Sequence, residues 1–134
     1  MNSNCENIKE NLETKNKTIL IVDDIKINYL LIKVMLKKLN VSLKWVDNGL
    51  KAVEECKKNK NIILVLMDYR MPVMNGYEAA LQIKKRRKDL PIISQSANLL
   101  KETNPQIDIN IYDGFIKKPI IQEKLLSIIT KYIN

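Results

Sequence analysis

The feature that most constrains the fold is a set of short runs that are apolar at every or almost every position. Residues 18–22 read TILIV, and residues 62–67 read IILVLM. A strand with one solvated face alternates apolar and polar residues, whereas a strand covered on both faces is apolar throughout. The sequence therefore predicts an α/β domain with a parallel sheet and helices packed on both of its sides.

Helical patterns separate these runs. Apolar residues recur at helical spacing from Ile27 to Leu39, and again after Asn48-Gly49, after Met71-Pro72 and from Ile121. Three further strands are predicted at 41–46, 91–95 and 113–116. Five strand-helix units make one domain over residues 18–134, and the polar residues 1–17 are predicted to be a flexible extension or linker.

Polar residues stand where the predicted strands end. Asp23-Asp24 follow the first strand, Asp68 ends the third, Ser96 follows the fourth, and Lys118 follows the fifth. Open parallel sheets bind ligands outside the carboxyl ends of their strands, so we expect these side chains at one edge. A carboxylate at the edge of an apolar sheet loses part of its hydration, so it needs a cation or hydrogen bonds in exchange.

Composition excludes several classes of protein. The net charge is +8, but the lysines are scattered, and the KKRRK run at 84–88 closes a helix whose dipole it complements. We interpret the run mainly as a solvated face, with an anionic partner as the alternative. Cys5 and Cys56 are expected to be free thiols. Since no apolar run reaches the ~18 residues of a membrane span, we expect a cytoplasmic protein without membrane insertion.

Four blocks of sequence carry a resemblance to a known family. They are ILIVDD at 19–24 with Asn28 after it, LMDYRMPVMNGYE at 66–78, PIISQSAN at 91–98 and GFIKKPI at 114–120. In order and spacing the chain resembles the receiver domain of two-component response regulators, most of all receivers of hybrid histidine kinases. The resemblance implies a doubly wound, flavodoxin-like (βα)5 sheet with strand order 2-1-3-4-5.

The resemblance also implies a function. Asp68 would accept a phosphoryl group from a phosphohistidine, with Ser96 and Lys118 completing the catalytic set. The phosphoryl oxygens would be bound by Lys118, by Ser96 and by the backbone N–H of Ala97. Such a domain is not a classical enzyme, although it promotes its own phosphoryl transfer and slow autodephosphorylation.

A divalent ion and a switch follow from the same likeness. Mg²⁺, or Mn²⁺, would be held by Asp24 and Asp68 directly, by Asp23 mainly through water, and by the backbone carbonyl of Arg70. On phosphorylation Ser96 would move toward the phosphoryl group and Phe115 would turn inward. The lysine-proline bond at 118–119 is expected to be cis, and Lys117 is expected to be solvated.

One region departs from the family pattern. The segment after Ser96 carries Pro105 where a full helix is usual, and proline removes a backbone donor and clashes with the preceding turn. We therefore expect a short or irregular fourth helix.

Alternative functions differ in the residues that they require. A haloacid dehalogenase-type phosphatase needs a second aspartate two positions after the nucleophile, where this chain has Arg70. An α/β domain that binds nucleotides through a glycine-rich phosphate loop is also disfavoured, because the only glycines are Gly49, Gly76 and Gly114. A silent receiver that binds a partner without phosphorylation remains open. Because the chain has no histidine, it cannot itself be the histidine kinase or the histidine phosphotransfer protein, and the resemblance implies one of these as its partner. The downstream partner is unknown, and no direct nucleic acid binding is expected. The chain is either a stand-alone receiver or a segment of a hybrid kinase.

Overall fold

The computed structural model describes residues 17–96 and 106–133. They form a five-stranded sheet in the order β2-β1-β3-β4-β5, with every neighbouring pair parallel. The strands are β1 (Thr18–Val22), β2 (Ser42–Val46), β3 (Ile62–Asp68), β4 (Ile92–Ser96) and β5 (Gly114–Lys117). The predicted fold class and strand order are confirmed.

Within the described ranges, four α-helices connect or flank the strands. They are α1 (Lys26–Met35), α2 (Gly49–Lys58), α3 (Gly76–Arg86) and α4 (Gln122–Ile133), and a 3-10 helix at Ile109–Ile111 precedes β5. The irregular fourth helix expected around Pro105 falls on residues 97–105, outside the described residues. The predicted extension also lies outside them apart from Lys17, whose ammonium donates to the carbonyl of Ile133 at 2.9 Å. None of the described helices has the length and hydropathy to cross a membrane.

The apolar strands divide their side chains between two cores. In β1, Leu20 and Val22 pack on the side of α2 and α3, whereas Ile19 and Ile21 pack on the side of α1 and α4. Successive side chains of a strand point to opposite faces, so a strand between two cores must be apolar at every position. All five residues of β1 are buried, as the sequence pattern predicted.

The first helix is apolar on more than its buried face. Ile32 and Leu36 are buried against the sheet, whereas Ile27, Leu31 and Val34 are 59%, 53% and 70% exposed. The helical repeat in the sequence predicted a helix here correctly. However, much of that repeat faces solvent. The buried residues Ile32 and Leu36 each lie one position after a residue of the repeat, Leu31 and Met35.

The loop between β3 and α3 contains a strained residue. Val73 has a φ of 70° and is 77% exposed, and the N–H of Met74 donates to the carbonyl of Pro72 at 2.7 Å across it. Positive φ crowds the Cβ of an L-residue, and a β-branched side chain adopts it least readily. The loop thus forms a tight turn at a position suited to asparagine or glycine.

The same loop is packed against the end of β3 through Gly76. A Cβ added at Gly76 would lie 1.9 Å from the carbonyl oxygen of Asp68, and the Gly76 N–H donates to Tyr69 at 2.8 Å. Only glycine permits this approach of two backbones. The position of Asp68 therefore depends on the residue that begins α3.

We expect Val73→Asn to raise the free energy of unfolding by about 0.5–1 kcal/mol, because asparagine tolerates positive φ. Urea titration measures the change. Val73→Thr is the matched control, since it is also polar but keeps the branched Cβ. An equal gain in both variants would show that polarity, and not backbone strain, is the cause.

We expect Gly76→Ala to lower the free energy of unfolding by about 3 kcal/mol or more, because the new Cβ overlaps backbone that cannot move independently of β3. Gly114→Ala is the control. Its Cβ would meet the tip of the Ile93 side chain at 3.0 Å, which can shift, so a loss of at most about 1 kcal/mol is expected. Equal losses in urea titrations would contradict this account.

Candidate functional site

Three carboxylates meet at the carboxyl edge of the sheet. Asp23 and Asp24 follow β1, and Asp68 ends β3, which lies beside β1. One oxygen from each lies within 4.8 Å of the others. Asp23 and Asp68 are buried, whereas Asp24 is exposed.

A lysine distant in sequence completes this cluster. The Nζ atom of Lys118 lies 3.3 Å from an oxygen of Asp23 and 3.3 Å from an oxygen of Asp68. The backbone N–H of Lys118 donates to the carbonyl of Ser96 at 2.9 Å, which fixes the segment after β5 beside the end of β4. The Lys118–Pro119 peptide is cis, as expected.

Asp23 is held in place by four partners. Its Oδ1 accepts from the Ile25 N–H at 2.9 Å and the Asn28 amide at 3.3 Å, and its Oδ2 accepts from Lys118. Its backbone carbonyl accepts from the Trp45 indole at 2.8 Å. Because both of its carboxylate oxygens already have donors, Asp23 is less free than Asp24 to bind an ion directly.

Trp45 was not predicted as a site residue. Its ring stacks on that of Tyr29 with centroids 5.6 Å apart, which joins β2 to α1 beside the acidic cluster. The strand order places β2 next to β1, and Trp45 pairs in register with Ile21, two residues before Asp23. The sequence did contain a signal for this role. Trp45 lies near the end of the neighbouring strand, and its indole N–H needs an acceptor.

The electrostatics of Asp68 are unfavourable for a lone carboxylate. Burial raises the pKa of Asp68, the Lys118 ammonium opposes that shift, and the charge of Asp23 adds to it. One ammonium cannot balance three neighbouring carboxylates. Carboxylate oxygens are the ligands that Mg²⁺ prefers, so the residues present fit a hard divalent cation.

The remaining predicted residues lie at or near this edge. Ser96 ends β4 and is half-buried, and Arg70 is exposed two residues after Asp68. Phe115 is 47% exposed, with its ring 5.6 Å from that of Tyr112. Lys117 is exposed, and Ala97 lies outside the described residues.

Comparisons with known proteins agree with this geometry. The response regulator receiver domain family matches residues 19–130. The chain is 33% identical to the autoinducer 1 sensor kinase/phosphatase LuxN of Vibrio campbellii and 32% identical to the peroxide stress-activated histidine kinase mak1 of Schizosaccharomyces pombe. Each alignment covers 98% of this chain but only 16% and 8% of those relatives.

Solved structures show the same fold. The receiver domain of sensor histidine kinase PA1611 from Pseudomonas aeruginosa, with a magnesium ion coordinated in its active site cleft, is 30% identical and superposes with a TM-score of 0.76. That match covers 87% of this chain and 97% of the other. A CheY-like receiver domain protein from Methanospirillum hungatei is 25% identical, with a TM-score of 0.77 and coverage of 86% and 91%. The chain matches only part of each of these sensor and histidine kinases, and it belongs to the response regulator receiver domain family.

Proposed function

We propose that this chain accepts a phosphoryl group on Asp68 from a phosphohistidine, with a divalent ion bound, and changes conformation as a result. The observation that carries the proposal is the contact of Lys118 with two of the three clustered carboxylates. A carboxyl group whose pKa is raised by burial, beside a specific charged partner, is typical of reactive sites.

The proposed transfer replaces a phosphorus–nitrogen bond in the donor with a phosphorus–oxygen bond on Asp68. An oxygen of the Asp68 carboxylate forms a bond to phosphorus while the bond from phosphorus to the donor histidine nitrogen breaks. The electron pair of the broken bond stays on the imidazole, which takes up a proton. Lys118, the Ser96 hydroxyl and the Ala97 N–H would bind phosphoryl oxygens, which is most of what such a transfer requires of a protein.

Asp24, Asp68 and the Arg70 carbonyl would hold Mg²⁺ or Mn²⁺, with Asp23 assisting through water. When bound, such an ion neutralises negative charge on the phosphoryl oxygens. The acidic cluster and the magnesium in the cleft of the PA1611 receiver domain support this assignment.

The switch is proposed for Ser96 and Phe115. Phe115 is half-exposed beside Tyr112 and has no hydroxyl, so packing alone sets where its ring lies. Movement of the Ser96 hydroxyl toward a phosphoryl group would open space that the ring can fill. Slow self-hydrolysis would reset the switch, and the long Arg70 side chain would affect the access of water to the acyl phosphate.

The proposed domain limits are 18–134, with 1–17 as a flexible extension or linker. We also propose that the protein works in the cytoplasm, where phosphohistidine donors of the two-component type are found. The donor is a histidine kinase or a histidine phosphotransfer protein, in keeping with the histidine kinases that the chain resembles.

The exposed stripe of α1, formed by Ile27, Leu31 and Val34, is a suitable docking surface for that donor. These residues lie at helical spacing on one face and are more than half exposed. The helix begins three residues after Asp23, so the stripe runs from the acidic cluster. A donor helix packed on it would bring its phosphohistidine to the edge that holds Asp68.

We expect purified protein with acetyl phosphate and Mg²⁺ to gain one phosphoryl group, detected by intact-mass spectrometry, and Asp68→Asn to gain none. Asp47→Asn is the matched control, because Asp47 is a half-exposed acid paired with Lys51 at the surface.

Mg²⁺ at 100 times its Kd should stabilise the wild type against unfolding by about 2.7 kcal/mol. A folded wild type that binds Mg²⁺ but is never phosphorylated, by this donor or by a histidine donor, would support the silent receiver instead.

We expect Leu31→Gln with Val34→Gln to slow phosphoryl transfer from purified phosphorylated histidine phosphotransfer proteins by tenfold or more, with no change for acetyl phosphate. Leu50→Gln with Leu81→Gln is the control, because these exposed apolar residues lie on α2 and α3. An equal loss in both pairs, or a loss with acetyl phosphate as well, would contradict docking on α1.

A further inference from the structure

A basic groove lies at the amino-terminal edge of the sheet, on the side opposite to the acidic cluster. It has a volume of about 710 Å³ and runs between the loop before β3 and the end of α3. Four of its lining residues are exposed cations: Lys60, Lys85, Arg86 and Lys88. One carboxylate, Asp89, lies among them.

The cations of this groove are not balanced by acids of the described chain. None of the four forms an ion pair with another described residue, whereas nearby Lys84 is paired with Asp113 at 2.6 Å. The carboxyl end of α3 accounts for Lys85 and Arg86, since cations favour that end of a helix. It does not account for Lys60, which comes from another loop and adds its charge to the same groove.

Arg87 also lines the groove, but its guanidinium is already hydrogen-bonded to the protein backbone. Its guanidinium donates to the backbone carbonyls of Cys56, Asn59 and Ile62 at 3.4, 3.3 and 2.6 Å. These bonds tie the end of α2 and the start of β3 to the end of α3. The two basic segments are therefore held beside each other by a fixed contact, so the groove is preformed.

The floor and one wall of the groove are apolar. Ile62 and Leu90 are buried beneath it, and Pro91 and the half-buried ring of Tyr132 line it. The Tyr132 hydroxyl donates to the carbonyl of Asp113 at 3.2 Å, which holds the outer end of this side chain in place. A flat aromatic wall next to a group of cations suits a ligand with a planar ring at one end and several negative charges at the other.

We propose that this groove binds a nucleoside polyphosphate, with the phosphates on Lys60, Lys85, Arg86 and Lys88 and the base against Tyr132. The volume lies within the range of about 300–1,000 Å³ typical of small-ligand sites. A nucleic acid is less suited, because Tyr132 is the single aromatic side chain among the groove's lining residues and single strands need several stacking platforms.

The groove is independent of the acidic cluster. β3 has seven residues, so its two ends lie roughly 20 Å apart at about 3.3 Å per residue. Charges separated by more than about 8 Å are largely screened at physiological salt. Binding at the groove therefore does not depend on Mg²⁺ or on phosphorylation of Asp68, and failure of either proposal leaves the other standing.

The test is a titration of the ¹⁵N-labelled full chain with ATP in the presence of EDTA, which keeps metal from the acidic cluster. We expect saturable shifts of the amide signals of residues 60, 85–88 and 132, with no comparable shifts at 23, 24 and 68. Lys85→Gln with Arg86→Gln should weaken binding at least fivefold. Inorganic triphosphate should bind more weakly than ATP, because it cannot contact Tyr132.

The matched control is Lys26→Gln with Lys124→Gln. It removes the same charge from exposed positions near the first turns of α1 and α4, so ATP binding should change less than twofold. Equal weakening in both pairs, shifts centred on the acidic cluster, or no saturation would overturn the proposal. Triphosphate that binds as tightly as ATP would overturn the role of the base. Tighter binding of duplex DNA than of ATP would show that the groove is a nucleic acid surface.

Discussion

The structure depends on one ammonium shared by two buried carboxylates. Lys118 contacts Asp23 and Asp68 at 3.3 Å each, and these three residues come from the ends of three different strands. Burial of like charges side by side is costly unless a cation lies between them. The free-energy cost of burying these carboxylates is offset in part by hydrogen bonds from neighbouring residues. Asp23 is fixed by Ile25, Asn28 and Trp45.

The sheet topology explains why such distant residues meet. In a parallel sheet all strands end at the same edge, so groups that follow β1, β3, β4 and β5 converge whatever their separation in the chain. The order β2-β1-β3-β4-β5 puts β1 and β3 side by side at the centre, where helices cover both faces. Asp23 and Asp68 are therefore buried at this edge, whereas Asp24 is exposed. This accounts for the raised pKa of Asp68, for which burial is the largest cause.

Most of the fold and the core of the site could be predicted from sequence because they rest on short-range patterns. Strands buried on both faces are apolar throughout, and residues directly after them must lie at the edge. Side-chain contacts across the sheet could not be predicted in the same way. Trp45 binds the Asp23 carbonyl only because β2 lies beside β1 in register, which is a tertiary property.

Two further features could not be predicted from the sequence for similar reasons. The apolar repeat of α1 does not reveal which of its faces packs on the sheet, so the exposure of Leu31 and Val34 became visible only in the structure. Gln95 lies in the polar second half of β4, whose sequence is IISQS. It is fully buried, its amide reaches the carbonyls of Val22 and Leu66 at 3.4 and 3.5 Å, and its Oε1 has no partner among the described residues. Buried polar groups usually find partners, so a strand pattern gives no reason to expect this one.

The distribution of charge over the two edges follows from the same helix geometry. Each strand-helix unit within the described residues brings a helix amino end toward the carboxyl edge and a helix carboxyl end toward the opposite edge. Lysine and arginine complement the carboxyl ends of helices, as in the last turns of α2 and α3. The cations of the basic groove therefore lie at the edge opposite to the acids, and at physiological salt they cannot neutralise the acids over roughly 20 Å. Among the described residues, Lys118 alone contacts the clustered acids through an ammonium, so this edge carries more negative than positive charge, and its carboxylates fit a divalent cation.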